Sequence, residues 1–343
     1  MTRSTGARTS WMSAAAVAAA AVIGLTGCGA SADGAGRSTV DLVGFSILEG
    51  VNRTTIDDFS ATAAGRGAEF RTSYGASGDQ SRAVAGGQPA DVVHFSLETD
   101  VTRLVDAGIV GSDWKSGPTE GIGSQTVVVL AVRKGNPKHI TGWDDLVKPG
   151  VEIVTPNPGS SGAARWNILA AWGQVIANGG TESDASTYLK KFFENTAALP
   201  GSGREATTAF TSGVGDVLIS YETEAIQARA KGADLDYFVP DDTLLIQNPV
   251  AVTKDAPEAA KDFVSYLIGK DGQLDYAKAG FRPLVDEVNY EVEGANDPSN
   301  PYPTPAKLLT IDADFGGWAD AAKKFFDEND GIVTRIQAET GKQ

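Results

Sequence analysis

The chain is predicted to fold as an α/β protein of two lobes on mainly parallel sheets, and three observations predict it. Short β-branched runs at 40–45, 90–95, 126–132, 152–155, 216–220 and 244–252 alternate with helical patterns at 164–177, 182–195, 222–231, 257–268 and 317–327. That alternation is the mark of parallel strands joined by crossover helices. Gly- and Pro-rich turns fall where strands should hand over to helices, which is where ligands collect in open α/β sheets. Two extended segments, 125–130 and 244–251, are longer than their neighbours and follow polar stretches, so they read as hinge strands between lobes. They place residues 39–125 plus 251–343 in a first lobe and residues 126–250 in a second.

Residues 1–27 read as a signal peptide. Arg3 and Arg8 are the only charges ahead of an apolar run from Met12 to Leu25. That run is shorter than the ~20 residues a bilayer span needs. It ends in Leu25-Thr26-Gly27-Cys28, the pattern of a bacterial lipobox, in which Cys28 is acylated and becomes the mature N-terminus. Residues 28–38 are small and polar and suit a lipidated tether. Anchoring on the extracytoplasmic face of the cell membrane follows as the expectation, with the membrane touched through the lipid alone. Cys28 is the only cysteine, which excludes a disulfide framework and a Cys-based zinc site.

Without its first 27 residues the chain carries 27 Lys and Arg against 44 Asp and Glu, a formal charge of −17. Such a surface argues against nucleic acid and for solubility outside the cell. It does not set the sign of a ligand held in a cleft, because exposed charges are screened beyond about 8 Å at physiological salt.

Three Gly/Ser turns are candidate anion cradles. The first is 73–80, where Ser77 with Gln80 three residues on matches a capping box and makes Ser77 the expected N-cap. The second is 157–166, containing Ser161, Gly162 and Ala163 ahead of an apolar helix. The third is 201–206, with Gly203 and Arg204 opening a short helix. A helix start leaves backbone N–H groups unpaired and carries about half a positive charge. Small residues let an oxyanion approach them. Taken alone, any one of these turns reads more readily as a plain capped helix than as an anion site. The third also matches the dinucleotide pattern G-x-G-x-x-A, but residues 194–200 are not expected to form the buried strand that pattern requires.

Catalytic readings fail on the residues. His94 and His139 lie in different segments, and His94, among Val92, Val93 and Phe95, reads as a buried hydrogen-bonded side chain. No HExxH, GxSxG or P-loop motif occurs. Asp312-x-Asp314-x-Gly316 resembles a calcium loop, but Lys323 occupies the position that needs an acid. Asn52-Arg-Thr54 fits a glycosylation pattern by chance. Neither enzyme, cofactor nor metal is expected.

Eight stretches in order resemble the sulfate-binding proteins of bacterial ABC transporters, across roughly 41–336. They are SYGASGDQS (73–81), ADVVHFSLETDVTRLVDAGIV (90–110), RKGNPKHITGWDDL (133–146), VTPNPGSSGAARWNILAAWG (154–173), GDVLISYETEA (215–225), NPVAVTK (248–254), GFRP (280–283) and FGGW (315–318). The resemblance implies a periplasmic-binding-protein type II fold that closes on one dehydrated sulfate, held by backbone amides and neutral donors. It implies a monomer that delivers the ion to a membrane permease. Carried over, Ser77 supplies its amide, Ser161 its amide and hydroxyl, and Gly162, Ala163 and Gly203 further amides. Arg165 and Arg204 brace the loops from behind. Ser46 is a possible extra donor, whereas Glu49 should point away from a dianion. An Ala163 stands where the family has a second Gly, which keeps the amide. Tyr221 replaces an indole donor found in some members, and its phenol accepts as well as donates. Thiosulfate, molybdate or another tetrahedral oxyanion is the alternative ligand, and anion sensing the alternative role.

Overall fold

A computed structural model describes residues 38–285 and 290–342, so the expected signal peptide, Cys28 and most of the tether lie outside the described residues. Strand β1 (Ser38–Phe45) buries Val40, Leu42, Val43 and Phe45 on both faces, as a central parallel strand must. It is flanked in parallel by β2 (Ala68–Gly75) and β3 (Val92–His94). The sheet continues through β4 (Ile122–Arg133), β5 (Ile153–Val154), β6 (Thr196–Ala198), β7 (Val217–Tyr221), β8 (Leu235–Phe238), β9 (Asp242–Val252) and β10 (Lys307–Leu309). Its order is β2-β1-β3-β9-β4-β7-β5-β6, with β10 on β9 and β8 on β4.

The two expected hinge segments fall in the long strands β9 and β4, which pair antiparallel, with Gln125 opposite Gln247. Each strand changes neighbour along its length. The end of β9 pairs antiparallel with β3 (Val92 opposite Val252), while the end of β4 pairs antiparallel with β7 (Val129 opposite Ser220). The sheet is therefore mixed: β4 pairs antiparallel throughout, and β9 pairs in parallel only with β10. By changing neighbours, both strands carry the chain from one half of the sheet to the other.

Where the structure differs from expectation, a physical reason is visible. β2 escaped the sequence reading because it is an edge strand whose alternate residues face water, tied by Arg71 to Asp41. β6 does form ahead of the third turn, against expectation, but it is a three-residue edge strand with only Thr196 buried. The dinucleotide match therefore still lacks its buried strand. Asn52 is fully buried inside the helix Glu49–Ala61, where no glycan could reach it.

The helix Gly162–Ala177 is buried on nearly all sides and forms the hub of one half of the molecule. Residues 307–342, expected to accompany residues 39–125, pack instead on this hub. Trp318 meets Trp166 edge-on at 4.6 Å, Phe325 meets Trp172 at 5.0 Å, and β10 extends β9 with Leu309 opposite Leu244. Apolar aromatic surface on the hub needs cover, and the C-terminal segment supplies it.

Candidate functional site

The candidate donors all follow the carboxyl end of a strand within a few residues. Ser46 follows β1, Ser77 follows β2, Ser161 follows β5, Gly203 follows β6, and Tyr221 ends β7. Strand ends of an open α/β sheet converge on one edge, so residues remote in sequence meet there.

At the first turn, Ser77 is the first helical residue of Ser77–Ala85 and not its cap; Ala76 holds that position and no capping box forms. The Ser77 hydroxyl turns away and donates to Asp100 Oδ2 at 2.6 Å, while accepting the Ser96 N–H at 2.9 Å. Gln80 Oε1 accepts from Ser73 Oγ at 3.1 Å. The hydroxyl proton goes to a charge-assisted bond with a buried carboxylate and the oxygen to a long-range amide, so Ser77 caps no helix. The Ser77 amide keeps no protein acceptor among the described residues.

At the second turn, Ser161 is the N-cap of Gly162–Ala177 and is buried. Its amide, expected to face an anion, donates to the Asn157 carbonyl at 2.9 Å and closes the turn. Its hydroxyl has no hydrogen bond among the described residues, nor have the amides of Gly162 and Ala163. Gly162 is required by close approach: a Cβ there would lie 2.6 Å from both Cβ and Oγ of Ser96. Arg165 donates to the Pro158 carbonyl at 3.1 Å and covers Phe326 with its guanidinium, a bracing contact behind the turn.

At the third turn, Ser202 caps the helix Gly203–Thr211, accepting the Glu205 amide, and the Gly203 amide is left without an acceptor among the described residues. A Cβ on Gly203 would meet Ile47 at 3.0 Å and Ala163 at 3.4 Å. The third turn thus touches the second and the segment carrying Ser46. Ser46 itself is half-buried and makes no hydrogen bond among the described residues. Arg204 donates to the Ile47 carbonyl at 3.3 Å and Gln227 Oε1 at 3.1 Å, and lies 2.8 Å from Glu224.

Tyr221 is fully buried, and its hydroxyl hydrogen-bonds Ser96 Oγ at 2.7 Å. Burial raises its pKa far above the phenol range, so it stays protonated. Ser96, Asn248 and Asp100 were within the stretches quoted above but had no assigned role. A polar residue two positions beyond a buried strand end, as Ser96 is, was the available signal. Ser96 also accepts through its carbonyl from Trp166 Nε1 at 2.9 Å and Asn248 Nδ2 at 3.2 Å. Direct contacts such as Gly78 N–H to Ser160 O at 3.0 Å hold the first and second turns together.

The structure therefore gathers unpaired amides from three helix N-termini, with hydroxyls from Ser161 and Ser96, in one buried place. His94 is buried, its pKa pushed down to about 3 by desolvation, and remains neutral. His139 is exposed. Glu49 is exposed beside Arg53 at 3.7 Å. A separate cleft of about 310 Å³ beside Trp166 and Trp318 is lined by Glu98, Glu120 and Asp312, a poor setting for an anion. No cluster among the described residues could hold a metal ion.

Residues 48–282 match the family described as bacterial extracellular solute-binding protein. A sulfate-binding protein of Synechococcus elongatus is 39% identical over 98% of both chains. A thiosulfate-binding protein of Pseudomonas aeruginosa is 34% identical over 76% of this chain and 80% of its own. The sulfate-binding protein SubI of Mycobacterium tuberculosis superposes with a TM-score of 0.78 at 43% identity, over 84% of this chain and all of that one.

Proposed function

The chain belongs to the bacterial extracellular solute-binding proteins, and from that premise we propose that it captures sulfate and hands it to the permease of an ABC transporter. The observation that carries this reading is the convergence of the Ser77, Gly162, Ala163 and Gly203 amides with no unneutralised carboxylate among them. A dianion loses tens of kcal/mol of hydration on burial, so each oxygen must be met by a donor. About half a dozen charge-assisted bonds at ~1.5–3 kcal/mol each offset that cost well enough for micromolar binding or better.

In this reading residues 39–125 and 251–306 form one lobe. Residues 126–250 form the other, joined by the C-terminal segment 307–342, and β4 and β9 flex between them. Ser77 and Ser46 serve the ion from the first lobe; Ser161, Gly162, Ala163 and Gly203 serve it from the second. Arg165 and Arg204 brace the turns without touching the ion. Calorimetric titration with sulfate, thiosulfate, molybdate and phosphate tests the assignment: sulfate should bind at micromolar concentration or below. Tighter thiosulfate binding would favour the second reading, which the Pseudomonas relative and the occupied Tyr221 hydroxyl both support. The protein works outside the cytoplasm, as a monomer tethered by an acylated Cys28. Wild-type protein should then partition with membranes and Cys28→Ser protein should not; equal partitioning removes the anchor.

A further inference from the structure

Gly78 is buried and follows Ser77 in the helix Ser77–Ala85, at a φ that is not positive and that any residue can adopt. A helical glycine costs conformational entropy that alanine would not, so the reason for this one lies outside its helix. Its amide donates to the Ser160 carbonyl at 3.0 Å, and a Cβ built on it would lie 2.9 Å from that same oxygen, closer than real Cβ atoms come. The other near group is Arg82 Nη1 at 3.3 Å, the end of an exposed side chain that can swing aside. Ser160 has no such freedom. Its amide and that of Ser161 both donate to the Asn157 carbonyl, at 3.3 and 2.9 Å, and its hydroxyl donates to the Gly201 carbonyl at 2.7 Å. The second turn is thus fastened to the third, and its carbonyl oxygen is held where it stands. The first and second turns meet backbone to backbone, with a longer bond from Arg82 to the Gly159 carbonyl at 3.4 Å beside them.

We propose that Gly78 is a positioning residue for closure: its contact with Ser160 is the seam at which the two lobes meet, and the tightness of that seam sets the affinity for every anion without touching one. This rests on the two-lobe oxyanion reading given above and adds to it the place where closure is limited. In that reading the Ser77 amide serves the ion from one lobe, and Gly162 and Ala163 serve it from the other. Gly78 adjoins Ser77 in the chain and Ser160 adjoins Ser161, so a gap at the seam draws the two groups of donors apart. A donor moved off its hydrogen-bond distance and angle loses most of its worth. A methyl group added at Gly78 would wedge the seam. Within its own lobe the methyl meets only the movable end of Arg82, and alanine suits the helix better than glycine. Binding and ligand-free stability should therefore respond to it in opposite senses. Gly50 offers the comparison: it lies in the first turn of the helix Glu49–Ala61 and also faces the second lobe, but its Cβ would lie 3.8 Å from Gln227 Oε1, an ordinary contact.

The test is calorimetry on the purified full chain with sodium sulfate and sodium thiosulfate, for wild type, Gly78→Ala and Gly50→Ala. Ligand-free melting curves and small-angle scattering with and without sulfate accompany it. Gly78→Ala should melt no lower than wild type in the absence of ligand. It should nevertheless bind both anions about 10- to 100-fold more weakly, the range that overpacking one tight contact produces, with the ratio of the two affinities unchanged. At saturating sulfate it should remain more extended than wild type. Gly50→Ala should bind and compact as wild type does. Sulfate binding by Gly78→Ala within twofold of wild type overturns the seam. A changed affinity ratio also overturns it, because Gly78 would then touch the ion. So does a lowered ligand-free melting temperature or a failure to fold, because the glycine would then serve the fold and not closure. An equal loss of binding in Gly50→Ala, or wild-type protein that binds sulfate without compacting, counts against it in the same way. Wild-type protein that binds neither anion sinks the underlying reading instead.

Discussion

Three buried carboxylates, Asp100, Glu222 and Glu224, and a fourth, Asp275, have opposite surroundings in this molecule. Around the donor turns, each acid is matched to an arginine. Asp100, behind Ser77, lies 3.0 Å from Arg103; Glu224, behind Gly203, lies 2.8 Å from Arg204; Glu222, following Tyr221, is gripped by Arg282 at 2.7 and 3.0 Å. On the helix Lys270–Lys278, Asp275 is almost as buried but has no ion pair among the described residues. It lies near Asp58 and Lys278, and its Oδ2 has no hydrogen-bond partner among the described residues. Burial and the Asp58 charge raise its pKa to about 6. Local pairing, not the net charge of −15, sets the field at a site. The acids beside the turns are cancelled where they stand, so the free amides present positive potential within a strongly acidic chain.

The largest way to break this contrast is Arg204→Met. Glu224, wholly buried, would lose its counter-charge, and removing one partner of a buried pair costs about 3–5 kcal/mol. Urea unfolding should show that loss and calorimetry a large fall in sulfate affinity, since the carboxylate would then face the Gly203 turn. A change below about 1 kcal/mol with intact binding would show that the pairing is dispensable.

Asp275→Asn sharpens the contrast from the other side. The folded-state pKa is raised, so the carboxyl's contribution is fully present below the unfolded value near 3.8 and is lost as pH rises through about 6. Wild-type stability should therefore decline between pH 4 and pH 7 relative to the variant, by on the order of 1 kcal/mol after allowance for solvent screening. Denaturant midpoints across that range measure it. Parallel curves for the two proteins would mean that burial and the Asp58 charge do not hold Asp275 protonated.

The smallest expected effect is a flat line. With His94 held neutral and the nearby acids paired, sulfate affinity should change less than about twofold between pH 6 and pH 8. A steep change would place a titrating group in the cleft.

Much of the site was legible because it is made of local signals. Ser161-Gly162-Ala163 and Gly203 announce helix starts by small residues ahead of helical runs, and the structure places those starts together. The Ser77 capping box was misread for a definite reason. Its serine meets Asp100, 23 residues away, and no local pattern encodes that preference. β2 was missed because an edge strand need not alternate cleanly, and the C-terminal segment because aromatic cover can come from either half of a chain.

By itself, the sequence determined the strand–helix alternation, the two long strands β4 and β9 and the helix N-termini with their free amides. Each of these depends on backbone chemistry and on residues a few positions apart. Only the tertiary structure decided which arginine neutralises which acid, that the Ser161 amide closes its own turn, and that Tyr221 meets Ser96, 125 residues away. Whether a hydroxyl donates or accepts depends on every neighbour's remaining protons, and those neighbours are assembled only when the strand ends converge.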